Sequence, residues 1–80
     1  KPEDYWRRFD LGDALLFSGH YSEAQKAFTE AIQLIPTPER RDKISSVLGP
    51  LRDYLVADVV DGLLKVTVEK IISELEASIV

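Results

Sequence analysis

Three groups of helix-breaking residues dictate what this chain can fold into. Gly19-His20-Tyr21, Ile35-Pro36-Thr37-Pro38 and Asp61-Gly62 cut it into stretches of helical length. Within each stretch apolar residues recur three and four positions apart, the spacing of a helix with one buried face. With 80 residues the chain supports one domain, close to the lower limit for a single hydrophobic core. The predicted fold is all-α: antiparallel helical hairpins, about four helices in all.

Residues 3 to 18 read as the first helix. Pro2 suits a first turn, and Glu3 and Asp4 favour the positive end of the helix dipole. Tyr5, Phe9, Gly12 and Leu16 form one stripe, Leu11 and Leu15 a second, and Ala14 and Phe17 a third. A helix apolar on so many sides calls for more than one covering neighbour. Gly19 ends it in a left-handed conformation. Ser22, with Gln25 three residues on, reads as the capping box of a second helix reaching about Leu34. Its buried face is Ala24, Ala27, Phe28, Ala31, Ile32 and Ile35, while Glu23, Lys26, Glu30 and Gln33 face water.

Thr37 reads as the next N-cap and Pro38 as the first residue of the following helix. Ile44, Val47, Leu48, Leu51 and Leu55 carry the third apolar stripe, and Pro50 predicts a kink or restart near Gly49. The β-branched stretch from Val56 to Val60 has no second strand to pair with, so it is not read as a strand. Leu64, Val68, Ile71, Leu75 and Ile79 give an amphipathic last helix. It is expected to act as a cap packed on residues 38 to 55, rather than as a surface for self-association.

Composition removes several chemistries. Without cysteine there are no disulfides, thiolate metal sites or thiol nucleophiles, and an intracellular, cytoplasmic setting is favoured. The net charge is −4, and the basic residues form only the short groups Arg7-Arg8 and Arg40-Arg41-Lys43, so nucleic acid is not an expected partner. Neither a membrane span nor a signal peptide is visible. Lys1 at the start, the lack of methionine and the apolar Ile79-Val80 end suggest a piece cut from a longer protein.

Residues 5 to 38 carry a repeat signature. Leu11-Gly12, Leu15, Gly19 and Tyr21, Ala24 with Phe28, then Ala31 and Pro36 stand at the offsets of a helical hairpin repeat of about 34 residues. The stretch resembles the tetratricopeptide repeat family. Leu15 replaces the usual tyrosine, and Arg8 stands where the family has a large apolar residue, with Trp6 as the substitute packing group. In this reading Gly12 and Ala24 are small where the helices cross, and Leu11, Leu15 and Phe28 fill the space around them. A shift by one repeat places Ser45, Ser46 and Asp58 where leucine, glycine and alanine belong. Residues 39 to 80 are therefore a degenerate repeat or capping helices.

The resemblance implies a function through its concave groove, which the first helix of each hairpin lines. By position the groove residues are Trp6, Phe9, Asp10, Asp13 and Phe17. Relatives that clamp a carboxylate terminus carry a basic residue and an asparagine where this chain has Phe9 and Asp13, so that ligand is disfavoured. A basic or apolar peptide suits the groove better. The competing reading makes Trp6, Phe9 and Phe17 plain core residues against an upstream repeat. No catalytic, cofactor or metal site is expected. His20 stands alone in a turn, and Asp53, Asp58 and Asp61 lack a calcium-loop pattern. The serines at 18, 22, 45, 46, 73 and 78 lack a nucleophile-elbow context. The sequence thus predicts a non-enzymatic protein-interaction module within a larger protein. The alternatives are a structural cap or homo-oligomerising helical unit, or an accessory domain of an enzyme.

Overall fold

Gly19 decides where the first helix stops. Its φ of +84° is a conformation glycine adopts without penalty. The Gly19 N–H donates to the Leu16 carbonyl (3.3 Å) and the His20 N–H to the Leu15 carbonyl (2.9 Å), the paired bonds of a Schellman ending. In the computed structural model, which describes residues 4–56 and 62–79, this closes α1 at Asp4–Phe17. The second helix, α2, follows at once over Tyr21–Leu34. It starts one residue ahead of Ser22, so the expected Ser22–Gln25 capping box does not form. His20 takes the cap position without a side-chain bond, and its carbonyl accepts from the Ala24 N–H at 2.9 Å. The Schellman turn leaves no free residue between the helices, which pushes Ser22 into the first turn.

Past α2 the chain turns extended at Ile35 and Pro36. Thr37–Glu39 form a single 3-10 turn capped by Pro36, so Thr37 is its first residue and not the cap. The Arg40 Nε donates to the Ile35 carbonyl (3.2 Å), satisfying an acceptor left over at the end of α2. The third helix, α3, is one uninterrupted element over Arg40–Val56 with Pro50 inside it. The expected restart near Gly49 is absent. Proline deprives the Ser46 carbonyl of its usual donor, but Ser46, Gly49 and Pro50 are all exposed, so water can serve that carbonyl. The last helix, α4, spans Gly62–Ala77. Most of the Val56-to-Val60 stretch lies outside the described residues, as do Pro2, Glu3, Asp58 and Asp61.

The described residues are all-α, and the helices pair as two hairpins. The most extensive contact joins α1 to α2, α4 packs on both α3 and α2, and α1 meets α3 only sparsely. One core results. Tyr5, Phe9 and Leu16 of α1 join Ala24, Phe28, Ala31 and Ile32 of α2. Ile44, Leu48 and Leu51 of α3 and Val68, Ile71 and Leu75 of α4 complete it. The stripe predicted for the last helix is therefore turned inward within the monomer, with Leu64 and Ile79 at its partly buried ends. Polar ties run between the same elements. Thr29 Oγ1 donates to Glu74 Oε1 (2.5 Å) between α2 and α4, and Arg52 pairs with Glu76 (2.6 Å) between α3 and α4.

The first helix is covered less completely than its three stripes suggested. Tyr5, Phe9, Gly12 and Leu16 are buried, yet Leu11 is 43% exposed and Ala14 faces solvent. Leu11 thus does not fill the helix crossing. Phe28 does: its ring lies so close to Gly12 that an added Cβ would stand 2.8 Å from Phe28 Cε2. No described helix is long and apolar enough to cross a membrane.

Candidate functional site

The sparse contact between α1 and α3 leaves a cleft open between the two hairpins. The α1 wall is made by Trp6, Phe9, Asp10, Asp13 and Phe17, so all five residues the repeat register assigned to a groove come together. Their numbers explain the grouping, since positions three and four apart share a helix face. The α3 wall was not identified from sequence. It consists of Ser46, Val47, Pro50, Leu51 and Tyr54, at the same spacing. That periodicity was the available signal, but Pro50 masked it by reading as a break.

The cleft has an aromatic lining with graded burial. Phe9 is buried and packs on the Phe28 ring behind it (centroids 5.8 Å). Trp6 leans on Tyr5 (5.1 Å) and Phe9 (5.9 Å) while staying 37% exposed. It therefore extends the core edge outward, although Arg8, two positions on, points to an ion pair with Glu30 of α2 (3.9 Å). At the other end Phe17 meets Tyr54 of α3, ring centroids 4.7 Å apart at 31°. Phe17 remains 49% exposed even so. Phe9 is thus a core residue, whereas Trp6 and Phe17 offer apolar surface to the cleft.

Two carboxylates share this lining. Asp10 is exposed and Asp13 half-buried, one turn apart on α1. Among the described residues neither has an ion-pair or hydrogen-bond partner. The Asp13 carboxyl titrates above the ordinary carboxylate value, first because burial strips water from it and second because of the neighbouring Asp10 charge. Among the described residues no lysine, arginine or histidine lines the cleft. At about 180 Å³ its volume is well under the roughly 300–1,000 Å³ of pockets that take a whole small molecule. It has room for one or two side chains.

Asp4, Arg7 and Arg8 line a separate, open hollow beside Leu11. His20 is exposed in the turn between α1 and α2, with Nδ1 4.0 Å from Glu23 Oε1. Among the described residues no group of three or more His, Asp or Glu side chains could hold a metal ion. Ser45 and Ser46 donate to the Arg41 and Asp42 carbonyls one turn back, and Ser78 donates to the Leu75 carbonyl. No family model matches this chain, and no curated protein or solved structure matches it either.

Proposed function

We propose that this chain is a tetratricopeptide-like protein-interaction module without catalytic activity, and that it holds a segment of a partner protein in the cleft between α1 and α3. The observation that carries the reading is the convergence of Trp6, Phe9, Asp10, Asp13 and Phe17 on one open cleft. The tetratricopeptide resemblance reserves that surface for peptide binding. Two further features support it. The cleft is sized for side chains, and its rim exposes two large aromatics, residues that dominate binding energetics where they can be desolvated. The inward-facing α4 stripe gives self-association no comparable surface.

Trp6 is the chain's only tryptophan, so its fluorescence reports on the cleft alone. A displayed peptide library panned on the protein should yield peptides that shift Trp6 emission. Those peptides should bind at least about tenfold more weakly to Phe17→Ser, a loss of about 1.4 kcal/mol. Leu11→Ser, on a different face of α1, should bind them normally. Selected peptides indifferent to Phe17, or none that reach Trp6, would refute the assignment.

A further inference from the structure

The peptide-cleft reading leaves one feature of the lining unexplained. Burying a carboxylate costs free energy unless a cation or hydrogen-bond donor answers it. Asp13 has neither among the described residues, and Asp10 adds repulsion from one turn away. A partly buried position without a function to serve is better filled by an apolar or uncharged side chain. Here the two acids stand among aromatic surfaces instead, in a cleft whose described lining carries no positive charge.

Resting on that reading, we infer that the cleft selects a partner segment bearing a cationic side chain, arginine above all, whose charged head lies between Asp10 and Asp13 while its stem and plane pack on Trp6 and Phe17. Each part of such a side chain has a counterpart in the cleft. A guanidinium donates through a planar fork that matches carboxylates, and it stacks on aromatic faces. The methylene stem suits the apolar floor. The volume accommodates a single long side chain. An acidic segment would add like charge beside the half-buried Asp13 and its neighbour Asp10, and a wholly apolar one would desolvate Asp13 further without compensation. The net charge of −4 also attracts a cationic segment from a distance.

The probe is a pentapeptide amide with a central arginine flanked by leucines, compared with the same peptide carrying neutral citrulline. Binding is followed by Trp6 fluorescence and by the amide resonances of Asp10 and Asp13. The arginine peptide should bind saturably, and citrulline should weaken it about tenfold or more, the scale of a partly desolvated cation contact. Asp10→Asn with Asp13→Asn, checked for unchanged helicity, should remove the preference and leave the two peptides equal. Equal binding of the two peptides to the parent chain would overturn the inference while leaving the peptide-cleft reading intact. An arginine preference that survives in the double variant would overturn it too, since the cation would then sit elsewhere. Silence of Trp6 towards both peptides at millimolar concentration would also count against it. The library experiment would then decide the broader reading independently.

Discussion

Asp13 shows how one residue can weaken the fold it belongs to. Its carboxyl is raised above the ordinary 3.8, by desolvation first and by Asp10 second, so its ionised form is less favourable in the folded protein than in the unfolded chain. A group with a raised folded-state value contributes stability that is fully present below its unfolded value. That contribution is lost as pH rises through the folded one. At neutral pH the ionised Asp13 is therefore a liability. Asp13→Asn should stabilise the unoccupied protein at neutral pH by about 0.5 kcal/mol or less, since water still reaches this half-buried side chain. The advantage should shrink on acidification into the carboxylate range. Asp10 and the Tyr54 phenol are the other titratable groups among the described residues that line the cleft. Urea midpoints of both proteins at neutral and mildly acidic pH test this. A variant less stable than the parent at neutral pH would mean that Asp13 has a favourable partner after all.

Between elements, α1 meets α2 at Gly12, against the Phe28 ring. A glycine inside a helix is unfavourable by about 1 kcal/mol relative to alanine, and here the space above it is already filled by the Phe28 ring. Gly12→Leu should overpack this crossing and cost about 1–3 kcal/mol in urea unfolding. Trimming the ring with Phe28→Leu should recover part of that loss, because the two sites touch and so couple. An unchanged midpoint for Gly12→Leu would mean that the helices are not held together there. This crossing was legible in the sequence because small and large residues alternate at helical spacing across Gly12, Ala24 and Phe28. The helix ends at Phe17 and Leu34 were legible for a related reason, since Gly19 and Pro36 permit few alternatives. The N-caps expected at Ser22 and Thr37 were not legible. A Schellman ending that hands directly into the next helix leaves Ser22 nothing to cap, and propensity alone does not reveal how many residues a turn consumes. The α3 wall of the cleft was missed because Ser45 and Ser46 break the repeat register and Pro50 mimics a stop. On an exposed helix face, however, the carbonyl that a proline leaves without its donor can be served by water, so the helix continues through Pro50.

Across the whole molecule, stability depends on α4 closing the core. A domain of 80 residues holds about 4–12 kcal/mol in total, so a single core defect takes a large share of it. The Cα trace measures 35 × 21 × 15 Å, too thin for any helix to be surrounded on all sides, and each helix therefore has one indispensable face. On α4 that face is marked by Ile71, 1% exposed, and the opposite one by Leu63, 62% exposed. Ile71 belongs to the cluster that also contains Ile44, Leu48 and Phe28, so it joins α4 to both hairpins. Ile71→Asp would place an uncompensated charge there at a cost of about 3–5 kcal/mol. Leu63→Asp, leaving an exposed site, should change stability by about 0.5 kcal/mol or less. Circular dichroism with sedimentation separates the two ways α4 could act. If α4 closes its own monomer, Ile71→Asp loses helicity or unfolds at much lower urea, while Leu63→Asp stays native and of unchanged size. If the stripe instead joined two copies, Ile71→Asp would remain fully helical and sediment as a smaller species. The burial of Val68, Ile71 and Leu75 among α2 and α3 residues of the same chain makes the first outcome the expected one.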